Sequence, residues 1–348
     1  MVTYSPILVI QLSLISSIVY AQTFNGILTP TVLNDWGFNS NATSINLVGR
    51  SIASISDNTF ATFVDLQELL LGANQIASIT PATFSALTNL KKLDLNNNKI
   101  SSIATNSFNS LASLTFLDLS VNYLTSLSVS TFSGLNNLVE LSLLSNQITS
   151  IQDSSLANLN KLKILNLKNN QLSTISNSTF AGIGLIEELH VSENKLSVLE
   201  NNTFKSMPNL VYLDLWDNAI TTIEVSAFSG LFNLKSLDLS FNQIKTVQYG
   251  IFKDLPNLIT LNLLLNKIEM IENGAFYGLN NLEQLNLELN YSFKNLTQGI
   301  FQGIPNLKDL NLADCAINHV PINLFRYVPN LVKINLSGNK IGKFINFY

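Results

Sequence analysis

The chain has 348 residues, of which 46% are hydrophobic and 12% charged, with a formal net charge of −4. So much apolar material with so few charges excludes a disordered chain and supplies ample core. The 19 Lys and Arg are scattered, with Lys91 and Lys92 the one adjacent pair, which excludes a basic stripe for a nucleic-acid backbone and makes an anionic membrane a poor partner.

The first 21 residues contain no charged side chain. Pro6 to Tyr20 is one apolar run, and Val19 and Ala21 precede Gln22 at the spacing a signal peptidase reads. Residues 1–21 therefore read as a cleaved secretory signal and the remainder as a secreted, extracellular protein. No later uninterrupted apolar run is long enough to span a bilayer. The one cysteine, Cys315, rules out an internal disulfide, so stability must come from the core alone.

Residues 22–41 precede any regular pattern and contain no cysteine. A stacked fold needs its first coil covered, and Leu28, Val32, Leu33, Trp36 and Phe38 can supply the inner face of such a cap.

From residue 42 to 348 asparagine sets the register. Asn74, Asn98, Asn122, Asn146, Asn170, Asn194, Asn218, Asn242, Asn266 and Asn290 recur every 24 residues; Cys315 falls 25 further on and Asn339 another 24. A fixed period of this size means one unit stacked on itself, about 13 times with the last unit incomplete. One unit contains Leu114, Leu117, Leu119, Asn122, Leu124, Leu127, Phe132 and Leu135. Leu117 and Leu119 alternate at period two, on one face of a short strand, so successive strands lie side by side as a parallel sheet about 4.8 Å apart. Phe132 lies on the return side, in a column from Phe60 to Phe325 that only Leu156 interrupts. The asparagine follows the strand, where the chain turns inside the core. Its amide can donate and accept, satisfying backbone groups that would each cost about 1–3 kcal/mol if left unpaired. Cys315 stands in the same column as a ladder residue, with an intermolecular disulfide as the alternative.

This pattern resembles the leucine-rich repeat family in its 24-residue extracellular form. The resemblance implies an α/β repeat solenoid: a horseshoe with a parallel β-sheet on its concave face and irregular or short helical segments on its convex face. It also implies the roles of Toll-type ectodomains, Slit-like proteins and secreted repeat proteins in adhesion, innate immunity or signalling. Extracellular members usually close the N-terminal end with a disulfide-bonded module, which this chain lacks.

No catalytic constellation accompanies the repeat. His190 and His319 have no neighbouring ligands at metal spacing, and no nucleophile elbow or phosphate-binding glycine loop occurs. The expectation is a non-enzymatic protein with no metal and no cofactor. Between the two strand leucines sits one outward residue per unit, mostly a short polar one that reads as a solvated face. One stretch differs. Glu188, His190, Tyr212, Asp214, Trp216, Asp217, Asp238 and Phe241 form an acidic and aromatic patch, extended by Leu264, Leu265 and Leu289. Tyr and Trp are enriched at binding hot spots, and acids favour a cationic partner. The patch is the candidate ligand surface for a protein or glycan. Of the sequons, Asn41, Asn177, Asn201 and Asn295 read as glycan sites; Asn290 and Asn335 read as protected by the ladder and the strand.

The final unit stops before its Phe position. That leaves three readings: a fragment of a longer single-pass receptor, a fold-over of Phe344–Tyr348, or a homodimer contact through the uncapped C-terminal end. An inhibitor that wraps a secreted hydrolase is a further functional alternative.

Overall fold

The computed structural model describes residues 26–342. The expected secretory signal, the first residues of the cap and the Phe344–Tyr348 segment lie outside the described residues.

Each coil opens with a three-residue strand such as Phe116–Asp118. Thirteen of these form one parallel sheet in strict chain order, from Ser44–Asn46 to Lys333–Asn335. Every residue faces its equivalent in the next unit. Leu117 lies between Leu93 and Leu141, and across the inserted residue Leu285 faces Leu310. The central residue of the strand points inward, so Leu93, Leu117, Leu141 and Leu165 are fully buried while their neighbours are half exposed. The period of two in the sequence is thus the pleat of the strand.

Of the irregular or short helical segments expected on the return side, the structure has the irregular form. Among the described residues the only helices are Pro30–Asp35 near the N-terminus and a 3-10 turn at Leu324–Tyr327. Elsewhere the chain steps round in three-residue turns: Thr131 N donates to Ser128 O, Leu135 N to Phe132 O and Leu138 N to Leu135 O. Ser, Thr and β-branched residues around Phe132 favour turns over α-helix. Two-residue strands such as Ser126–Leu127 and Ser150–Ile151 pair in parallel across this side. The phenylalanines stack coil on coil, with Phe204 and Phe228 centroids 6.3 Å apart and Phe252 and Phe276 likewise 6.3 Å. The back also carries an alternation hidden by the dominant period. Gly134, Gly182, Gly230 and Gly278, all at positive φ, occur in every second unit, and Gly303 ends the alternation by following in the next unit. At Gly182 (φ +91°) a Cβ would stand 2.5 Å from Ala157 Cα in the preceding coil, so only glycine permits that approach.

At the N-terminal end, Thr29 Oγ1 accepts from Val32 N to cap the short helix, with Pro30 at its first position. Leu28 and Leu33 are fully buried, and Val32, Trp36 and Phe38 pack against the first coil. Arg50 lies 5.1 Å over the Trp36 ring. At the other end the core positions open: Leu307, Leu310 and Leu312 are fully buried, whereas Ile334 one unit later is 38% exposed.

The inserted residue after Asn290 makes a small bulge that buries Phe293 completely and leaves Tyr291 outside. Asn295 bridges to His319 in the next unit.

Candidate binding surface on the concave sheet

The asparagine ladder fixes where every concave side chain stands. Asn122 Oδ1 accepts from Ile100 N at 2.9 Å, and its Nδ2 donates to the carbonyls of Leu95, Leu119 and Ser120 at 3.0, 3.1 and 3.1 Å. The same pattern runs from Asn74 through Asn98, Asn146, Asn170, Asn194, Asn218, Asn242 and Asn266 to Asn290. Cys315 occupies the column fully buried, its Sγ donating to Leu287 O at 3.0 Å, while burial pushes its thiol up to about 11. A thiol suffices there for a local reason. The insertion turns Phe293 N back onto Asn290 O, so the amide that a ladder asparagine would otherwise accept already has a partner. Asn339 resumes the column, accepting from Ile317 N at 2.8 Å.

The outward column is not merely a wet face. In ten of the thirteen strands its Asp or Asn accepts from the backbone amide two residues on. Examples are Asp94 from Asn96, Asp118 from Ser120, Asn166 from Lys168 and Asp238 from Ser240. The side chain closes an Asx turn that takes the backbone from strand to ladder. A second asparagine column also went unread in the sequence. Asn89, Asn137, Asn209, Asn233, Asn257, Asn281, Asn306 and Asn330 each donate from Nδ2 to a carbonyl of the preceding coil. Its signal was available: an Asn directly before the first leucine of most units.

The predicted patch resolves into two groups. On the sheet, the His190 ring lies 5.2 Å from that of Tyr212, with Nε2 3.6 Å from a Glu188 oxygen and Nδ1 3.7 Å from Asp214 Oδ2. Asp214 is not the open acid that its column position suggests. It is only 8% exposed, accepting from Ser192 Oγ at 2.6 Å and Trp216 N at 3.1 Å. Burial alone would raise its carboxyl; the His190 side chain, the Ser192 hydroxyl and the Trp216 amide outweigh that and hold it below the usual range. Burial, then the charges of Asp214, Asp238 and Glu188, push the Tyr212 hydroxyl up. The phenol therefore stays a neutral donor among carboxylates.

Trp216, Asp217 and Phe241 stand apart from this group, on the rim that follows the strands. Trp216 is half-buried, with Lys168 Nζ 4.9 Å from its centroid and Phe241 edge-on at 5.7 Å. Tyr212 lies in the strand and Trp216 beyond the Asx turn that ends it, so they have different neighbours. From Tyr212 toward the C-terminus the sheet opens into a cavity of about 530 Å³ lined by Asp238, Asn262, Asn286, Asn311 and Lys333. Its far half, including Asn286, Asp309 and Lys333, carries no sequence signal beyond the repeat itself.

Among the sequons, Asn41, Asn201 and Asn295 are exposed, and Asn177 is half-buried with its Oδ1 accepting from Ser206 N and Oγ. Asn290 is fully buried in the ladder.

A parallel sheet on the inside of a stacked coil, backed by an asparagine ladder, defines a repeat scaffold built to present a long surface. The family model for leucine rich repeats matches residues 40–100, 64–124, 88–148, 117–172, 136–196, 185–244, 232–291 and 287–341, and the chain belongs to that family. Its members are in general non-enzymatic protein-interaction scaffolds, and this chain has that fold. TLR13, crystallised as a complex with ssRNA13, is similar at 28% identity and a TM-score of 0.72, over 86% of this chain and 50% of that one. A leucine-rich repeat protein of Leptospira interrogans aligns at 26% identity and TM-score 0.70, over 87% of this chain and 80% of that one. Toll in its complex with Spätzle, from Drosophila, shares the fold at 23% identity and TM-score 0.76, over 87% of this chain and 45% of that one. The chain thus spans about half the length of the Toll-type proteins it resembles. No curated protein sequence matches it. Among the described residues no helix is long and apolar enough to cross a membrane.

Proposed function

We propose that this is a secreted, non-enzymatic recognition protein that binds a protein or glycan partner on its concave sheet. The observation that carries the reading is the cavity that opens beside Tyr212, where a neutral phenol, the hydrogen-bonded Asp238 carboxylate and a run of amides converge on a preformed surface. Glu188 and Asp238 favour a partner that presents cations or hydrogen-bond donors. Exposed sequons at Asn41, Asn201 and Asn295 support an extracellular, glycosylated chain. Ladder and strand hydrogen bonds make the surface rigid, so little ordering entropy is lost on binding.

Capture with the immobilised protein from the fluid into which it is secreted, then titration of what binds, tests the proposal. Tyr212→Ala should weaken the captured partner by roughly tenfold, about 1.4 kcal/mol, at unchanged melting temperature. Unchanged affinity would remove the concave assignment.

A second reading is favoured by one observation: the chain spans about half of the Toll-type proteins it resembles. On that reading it is the recognition part of a single-pass receptor. A transcript that continues into an apolar stretch of about 20 residues would decide for it.

A further inference from the structure

We propose that the rim formed by Trp216, Phe241, Leu264, Leu265 and Leu289 is a docking strip for an amphipathic helix of a partner protein with a basic residue at each end. This deepens the recognition reading but rests on the rim, not on the Tyr212 cavity.

The residue directly before each ladder asparagine is in the left-handed region in unit after unit: Asn97 at φ +49°, Asn169 at +54° and Asp217 at +50°. Asn, Asp and Gly tolerate that conformation, whereas other residues lose about 1–2 kcal/mol in it. Asn97, Asn169, Asp217, Asp314 and Gly338 obey the preference, whereas Ala73, Val121, Ser145 and Glu193 do not. Phe241 (φ +55°), Leu265 (+49°) and Leu289 (+61°) form the one run of large apolar side chains in this column, in three consecutive units. Core burial does not compensate them, because Phe241 is 38% exposed and the two leucines are half exposed. Asn or Gly would be less strained there, and small or polar residues serve in most other units. Bulky apolar groups held there at a cost in stability point to a role outside the fold.

Backbone hydrogen bonds hold the strip in line. Phe241 N donates to Leu264 O, Leu265 N to Glu288 O and Leu289 N to Ala313 O, at 2.9, 2.9 and 3.0 Å. The three side chains therefore recur about every 4.8 Å across the strands. An α-helix laid along that line presents one apolar residue per turn, as at i, i+4 and i+7, about 5 Å apart on average. An extended strand presents one same-face residue about every 6.7 Å and falls out of step. Asp217 and Asp314 continue the row at its two ends and have no ion pair among the described residues. They lie four units apart, about 19 Å, which is the rise of about 13 helical residues. The nearby lysines are engaged: Lys168 by Glu193 and Trp216, Lys195 by Gln171 and Lys267 by Gln243. Two unpaired acids bracketing an apolar centre suit a helix with a cation near each end and repel an anionic membrane.

The probe is a synthetic helix-forming peptide of about 14 residues, with leucines at helical spacing and a lysine at each end. A peptide of the same composition with leucines at alternate positions is the control. Titration calorimetry should show binding of the first and not the second. Binding should fall by roughly tenfold or more in the combined Phe241→Asn, Leu265→Asn and Leu289→Asn variant. The melting temperature of that variant should hold or rise, since Asn suits the left-handed backbone, and Tyr212→Ala should leave peptide binding intact. Absence of helix binding, equal binding of the control, or undiminished binding by the Asn variant would overturn the proposal. So would a marked loss of stability in that variant. Self-association that disappears in the Asn variant, without peptide binding, would assign the strip to a second copy of the chain instead.

Discussion

Asn122→Ala measures what one rung of the ladder contributes. The carbonyls it serves are doubly supplied: Leu95 O also accepts from Asn98, and Leu119 O also from Asn146. The amide of Ile100 is not, for Asn122 Oδ1 is its one acceptor. Truncation therefore orphans one N–H inside the coil and weakens bonds to carbonyls that keep a second donor. An unsatisfied buried donor costs about 1–3 kcal/mol, and the shared bonds and small void add about 1 kcal/mol more, so the variant should lose about 2–4 kcal/mol. Because neighbouring coils carry stability between them, the loss should appear first as local opening. Chemical denaturation gives the total, and hydrogen exchange at Ile100 gives the place. A loss under about 0.5 kcal/mol, with Ile100 exchange unchanged, would refute the reasoning.

Asn122→Cys should also destabilise, since a thiol cannot take the Ile100 amide well, whereas Cys315→Ser should be nearly neutral by melting temperature because Phe293 N is already bonded to Asn290 O. Gly182→Ala sets a Cβ 2.5 Å from Ala157 Cα at φ +91° and should cost about 2 kcal/mol or more by thermal denaturation. Asp214 has a lowered folded-state carboxyl value, so its stabilisation is present above the ordinary 3.8 and is lost as pH falls through the folded value. The stability of Asp214→Asn should therefore fall less steeply with acid than that of the parent over that window.

Much of the fold was legible because the period is strict. Asn74 to Asn339 gave the register, Leu117 and Leu119 gave the strand and its inner face, and the phenylalanine column marked the return side. The solvated reading of the outward column missed its role in the turn. Asp238 and Asn166 accept from amides only two residues away, a bond that depends on backbone geometry, not on residue pattern. Between the irregular and short helical segments expected on the back, the structure takes the irregular form, in three-residue turns. Tyr212 stands beside His190, and Trp216 beside Lys168 and Phe241, a division made by the turn after the strand that the residue pattern does not state.

The sequence by itself determined the stacking. A side chain that must satisfy buried amides once per coil has to recur once per coil, and that recurrence is visible without coordinates. Only the tertiary structure decided which surface groups are free. Whether Asp214 is an open acid or a buried acceptor depends on His190 and Ser192 in the neighbouring coil. Whether Phe241 and Leu265 are ordinary apolar residues or strained exposed ones depends on a backbone angle that no pattern of side chains states.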